Sequence, residues 1–66
     1  MVYANEKYRH YKGNEYTIIA VGKHTETMEE MVVYTDGDHI WIRPLEMFEE
    51  TIEKDGKRIK RFERMD

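Results

Sequence analysis

Glu30–Arg43 reads EMVVYTDGDHIWIR, and the folding of this stretch decides the rest of the chain. Its apolar residues alternate with a period of two on either side of Asp36-Gly37, a pair that favours a two-residue type I′ turn. Taking Asp36 and Gly37 as the turn fixes a register. Thr35 then faces Asp38, Tyr34 faces His39, Val33 faces Ile40, Val32 faces Trp41, Met31 faces Ile42 and Glu30 faces Arg43. One face carries Met31, Val33, Ile40 and Ile42 and is wholly apolar. The other carries Val32, Tyr34, His39 and Trp41, aromatic with a polar edge. The ends close on opposite charges, and a slip of one residue scrambles both faces.

The hairpin ends on Trp41-Ile42-Arg43-Pro44, which holds the only Trp and the only Pro of the chain. Proline cannot donate to a ladder, so the strand stops there. A short helical turn is expected at Leu45–Phe48, because proline suits the start of a helix. FEETIEKDGKRIKRF (Phe48–Phe62) then reads as a second hairpin about Asp55-Gly56. It pairs Lys54 with Lys57, Glu53 with Arg58, Ile52 with Ile59, Thr51 with Lys60, Glu50 with Arg61 and Glu49 with Phe62. A helix running on to Lys54 is the competing reading, and it leaves those charge pairs without a purpose.

Upstream, EYTIIAVGKH (Glu15–His24) is rich in β-branched residues and reads as a strand, nearly apolar enough to be covered on both faces, with a bulge or bend at Gly22. YRHYKGNEY is a short strand that turns at Lys12-Gly13-Asn14, and KHTETMEEM is a polar connection. Residues 1–7 are expected to fray. Turn signals at this spacing suit about five short antiparallel strands. The expected fold is mostly β: a small SH3-like antiparallel barrel with one short helical turn after Pro44, a single domain over 1–66. Closure removes the exposed edges that a small open sheet leaves unpaired.

The totals bound what such a domain can be. Hydrophobic residues make up 39% and charged residues 38% of 66 positions, and a core of this size typically supplies about 3–5 kcal/mol. No cysteine is present to form a disulfide or a thiolate metal site. A partner chain is the other source of burial, so the expected state is monomer or homodimer. The N-terminal MVYANEKYRH has no apolar signal-like run and no stretch is long enough to span a membrane, so a soluble cytoplasmic protein without a membrane partner is expected. A net charge of −3 makes nucleic acid an unfavoured partner. Six of the eleven Lys and Arg residues nevertheless lie between Lys54 and Asp66, beside Glu46, Glu49, Glu50 and Glu53, which suggests internal pairing.

HYKG (His10–Gly13), VVY (Val32–Tyr34), WIRP (Trp41–Pro44), MF (Met47, Phe48), DG (Asp55, Gly56) and RF (Arg61, Phe62) occur in this order. Together they resemble a family of small bacterial proteins known only as a domain of unknown function, with an HYKG … WxRPxxMF … DG … RF signature. The resemblance covers about Tyr8 to Glu63. It implies short, stand-alone, cytoplasmic, β-rich members, and it carries no activity to transfer.

The candidate binding residues are Trp41, Arg43, Pro44, Tyr34, Tyr11, His10 and Lys12. Trp41 and Tyr34 with Arg43 beside them form an aromatic platform suited to a proline, a base or a cation. The plainer reading makes Trp41 the centre of a small second core, with Arg43 paired to Glu30. In RHYKG, Gly13 resembles a phosphate-cradling loop but lacks the glycine spacing and the following helix, so a tight turn accounts for it. His10, His24 and His39 have no metal-ligand spacing, and His39 is better read as the cross-strand partner of Tyr34. No metal or cofactor is expected. Without Cys or Ser, and with adjacent carboxylates pointing to opposite faces of a strand, the chain points away from an enzyme. The favoured function is a non-catalytic module that recognises a peptide or protein through the aromatic surface around Trp41, flanked by Arg43 and Pro44. The alternative is nucleic-acid binding through the basic C-terminal hairpin, and the third is a small enzyme or metal protein centred on His10.

Overall fold

The central hairpin forms, but its turn sits one residue later than the Asp-Gly pair suggests. In the computed structural model, which describes residues 1–65, the elements run β1 (Lys7–His10), β2 (Glu15–Lys23), β3 (Glu30–Thr35), β4 (Ile40–Pro44), α1 (Leu45–Phe48), β5 (Thr51–Lys54), β6 (Lys57–Lys60) and β7 (Phe62–Met65). β3 pairs with β4 so that Tyr34 meets Trp41, Val33 meets Ile42, Val32 meets Arg43 and Met31 meets Pro44. This replaces the pairing of Tyr34 with His39 and of Glu30 with Arg43. The cause is the Asp36 side chain. Its Oδ1 accepts from the backbone of Asp38 (2.9 Å) and His39 (2.8 Å), so Asp36 flanks the turn and does not occupy its centre. Those two bonds, His39 first, also hold the Asp36 carboxyl below its ordinary range. Gly37 becomes the first central residue, with φ 104°, a conformation that glycine adopts without penalty.

The second hairpin follows the sequence more closely. β5 and β6 pair Ile52 with Ile59, Glu53 with Arg58 and Lys54 with Lys57. Both turn residues have positive φ, 53° at Asp55 and 77° at Gly56, as a type I′ turn requires. The helical turn occupies Leu45–Phe48, directly after Pro44. A helix continuing to Lys54 is therefore ruled out.

The fold is mostly β, with an antiparallel sheet ordered β4-β3-β2-β1-β7 and a separate ribbon of β5 and β6. Among the described residues the ladder ends at β4 and at β7, so pairing does not close a barrel, and the strand count is seven where about five were expected. The bend in β2 is a bulge between Ile18 and Ala20, not at Gly22. One extra residue there lets both Ile18 and Val21 face the core. The first residues are not frayed. Val2 is buried in the core, and Asn5 and Glu6 exchange backbone bonds with Ile18 at 2.8 Å each.

Among the described residues, only one side of the sheet is covered. Val32, Tyr34, Ile18, Tyr8 and Phe62 are buried on the inner side, and α1 lays Phe48 over them. Phe48 stacks on Phe62 with ring centroids 4.1 Å apart, while Tyr8 and Tyr34 meet Phe48 edge-on at 5.1 and 5.4 Å. Such pairs typically add about 0.5–1.5 kcal/mol each beyond burial. Ile40 and Ile42 lie on the other side, 67% and 65% exposed. The aromatic face of the hairpin is thus the core and the aliphatic face is solvated, the reverse of an exposed aromatic surface at Tyr34.

Truncating a buried Phe typically costs about 3–5 kcal/mol, as much as a core of this size supplies. Phe48→Ala is therefore expected to leave the chain largely unfolded at 25 °C by far-ultraviolet circular dichroism, while Phe48→Leu remains folded with a lower urea midpoint. A Phe48→Ala protein with an unchanged midpoint would contradict this account of the core.

Candidate functional site

β1 ends at His10 and the chain turns at once. His10 N–H donates to the Asn14 carbonyl (2.8 Å) and Gly13 N–H donates to the His10 carbonyl (2.7 Å). Gly13 holds φ 109°, which explains glycine there without any phosphate loop. Lys12 N–H donates to His10 Nδ1 (3.2 Å). With Nδ1 accepting, the proton of the neutral ring sits on Nε2. The imidazole lies against Tyr11 (4.6 Å) and meets Phe62 edge-on (4.9 Å).

β4 brings Arg43 to the same rings. Alternation puts Trp41, paired with Tyr34, and Arg43, paired with Val32, on the inner side. Arg43 Nε donates to the Tyr34 hydroxyl (3.2 Å), and its guanidinium lies 5.5 Å from the Phe62 centroid. The pairing of Arg43 with Glu30 is thus replaced by a lid over the aromatic core. Tyr34 itself is buried, and its hydroxyl is covered by Arg43.

Three further residues join that the sequence did not single out for the site. Arg61, between β6 and β7, binds Glu50 Oε1 through Nη2 at 2.7 Å, and its Nε is buried with no partner among the described residues. Its backbone carbonyl accepts from Tyr11 N–H (2.9 Å). Lys54 on β5 and Lys12 both place Nζ 5.8 Å from the Tyr11 centroid. Phe62 is the ring around which the group assembles. The Glu50–Arg61 match was legible from the second hairpin, whereas the approach of Lys54 to Tyr11 depends on tertiary folding alone.

Charge governs this cluster. Burial, followed by the Arg43, Arg61 and Lys12 cations, pushes the His10 imidazole below its usual value. Burial and, after it, the surrounding positive charge thus both favour the neutral ring. A shallow hollow of about 200 Å³ lined by Arg9, His10, Tyr11, Ile59, Lys60 and Glu63 opens beside it.

Trp41 stands at the margin of the group. It is 45% exposed, its indole N–H donates to Asp36 Oδ2 (3.4 Å), and the His39 ring lies 5.4 Å away. It is not the centre of a second core. His39 serves the turn and Trp41, not Tyr34. His24 Nδ1 accepts from the Glu26 and Thr27 backbone (3.1 and 3.3 Å), so the three histidines hold three separate places. In the C-terminal segment Arg61 and Arg64 are engaged by Glu50 and Glu6, and Lys57, Arg58 and Lys60 are exposed.

Pro44 fixes which edge groups of β4 are free. Having no N–H, it must stand at a position not bonded to β3. Antiparallel alternation then directs the N–H and C=O of Trp41 and Arg43 inward, to β3, and those of Ile40 and Ile42 outward, where β4 is the last strand.

Strand order and side chains define a small mostly-β module with an open edge strand and a cationic aromatic cluster. The chain belongs to the family described as Protein of unknown function (DUF1653), whose model matches residues 6–64. No curated protein and no solved structure matches it. Among the described residues, no helix is long and apolar enough to cross a membrane.

The lowered His10 value links folding to pH. Its contribution to stability is fully present above the unfolded value near 6.5 and is lost as the pH falls from there through the lowered folded value. Thermal melts are expected to drop between pH 7.5 and pH 5.5 more steeply in the parent than in His10→Gln. In proton NMR titration, Lys12→Ala is expected to move the His10 midpoint upward. An unmoved midpoint counts against the cluster.

Proposed function

We propose that this protein is a non-catalytic binding module that takes an extended segment of another protein along β4, beside Trp41 and Arg43. The observation that carries the reading is the open edge. β4 ends the sheet, offers the outward amide groups of Ile40 and Ile42, and bears an exposed Trp41. An added strand gains main-chain hydrogen bonds from such an edge, and alternate side chains supply selectivity. Side chains of the incoming segment that face inward meet Trp41 and Arg43, and those that face outward meet Ile40 and Ile42. Edge strands in soluble proteins are usually blunted by charge, proline or a bulge. Here the blunting is confined to Arg43 and Pro44, which leaves Ile40–Ile42 available.

A peptide-display selection followed by amide NMR titration tests the reading. Selected peptides are expected to shift Ile40–Pro44 amides and the Trp41 indole. Ile42→Pro removes one outward donor at a site where an edge strand tolerates proline, and it is expected to abolish binding while leaving the fold intact. Trp41→Ala is expected to weaken binding by about tenfold or more, as truncating an aromatic anchor does. Shifts confined to the turn at Asp55-Gly56, or binding unaffected by Ile42→Pro, would overturn the proposal.

A further inference from the structure

We propose that Lys12, Arg43, Lys54 and Arg61, gathered about the His10–Tyr11–Phe62 rings, form an anchor for carboxylates, so that the segment taken by β4 is acidic; this rests on the β4-edge reading above. The chain as a whole carries net charge −3, yet among the described residues cations outnumber acids here. Among the described residues, Lys12, Arg43 and Lys54 have no carboxylate within 4 Å, and Arg61 has Glu50. These cations arrive from the turn after β1, from β4, from β5 and from the junction of β6 and β7. They therefore do not reflect a run of basic residues in the sequence.

Their convergence is unfavourable as it stands. Burial, and after it the charge of Arg43, Arg61 and Lys12, disfavours a proton on His10, and among the described residues Arg61 Nε is buried without a partner. An anion seated among them relieves the repulsion, and it is attracted more strongly beside half-buried rings than in open water. The groups facing His10 are Lys12 and Tyr11 from the turn, Arg43 from β4, Arg61 from the β6–β7 junction and Phe62 from the start of β7. Arg9, Lys60 and Glu63 border the hollow beside it. Among the described residues Glu63 is the one acid in that ring, and Glu50 is held by Arg61.

A peptide fits better than a nucleic acid. The number of cations is small, and the excess negative charge of the rest of the protein repels a long polyanion. The neighbouring edge offers backbone amide groups that match another polypeptide. Since Trp41 and Arg43 share a face two residues apart, a partner strand places an apolar or proline side chain on Trp41 and an acidic one on Arg43 at the same spacing.

Amide and side-chain NMR titrations with hexaglutamate, hexaglutamine and oligouridine RNA test this on the whole chain. Hexaglutamate is expected to shift Tyr11, Lys12 and Arg61 and to raise the His10 midpoint. Exposed charge pairs are weak, so Lys12→Ala and Lys54→Ala are each expected to reduce affinity by about two- to fivefold. Both positions lie on the surface, which keeps the test independent of folding. Equal binding of hexaglutamine, tighter binding of RNA with a steep salt dependence, or full affinity in the Lys12→Ala Lys54→Ala double variant would overturn the anchor. Failure of the edge reading looks different: hexaglutamate shifts around His10 then persist while no peptide perturbs Ile40–Pro44.

Discussion

The stack of Phe48 on Phe62 is the constraint on which the rest depends. Phe48 belongs to a single helical turn and Phe62 opens the last strand, and neither has enough local structure to hold itself. At 4.1 Å and nearly parallel, the pair ties the end of the β3–β4 hairpin to the strand that pairs with β1. Tyr8, Tyr16 and Tyr34 close around it edge-on. A chain with 39% hydrophobic residues thereby builds one compact core from large rings, in place of many aliphatic contacts. The ring edges and the phenol groups also let that core end in polar atoms, such as the Tyr8 hydroxyl that reaches Glu6.

This choice of core explains what could be read in advance. The period-two pattern fixed the two faces of the hairpin, and moving the turn by one residue changed every partner but left each side chain on its face, because the register moves by two. Which face is buried could not be taken from hydropathy. Ile40 and Ile42 outrank Tyr34 on any such scale, but Tyr34 is where Phe48 and Phe62 meet. Covering depends on α1, and nothing in the hairpin itself tells where α1 will lie.

The two Asp-Gly pairs show how a local rule is overridden. At Asp55 nothing competes, and both residues adopt the left-handed conformation. At Asp36 the carboxylate has two backbone amides to bond ahead of it, and Thr35 Oγ1 adds a bond to the His39 carbonyl (2.7 Å). Side-chain capping outweighs the preference for an I′ turn. Gly22 misled for a related reason. A bulge is placed where the core needs two inward residues in the wrong phase, here Ile18 and Val21, and glycine is not required for that.

The site was legible in pieces. His10, Tyr11 and Lys12 are held together by a turn that the sequence marks, and Trp41, Arg43 and Pro44 by one strand. That these two pieces share a wall with Lys54 and Arg61 follows only from the aromatic core, since Phe62 is the ring both His10 and Arg43 touch. Core and site are therefore one construction. Arg43 covers Phe62 and bonds Tyr34 while presenting positive charge outward, so its contribution to packing and its contribution to recognition cannot be separated by removing the residue. The residues that report on recognition with least effect on the core are those at the rim, Lys12, Lys54 and the exposed edge of β4.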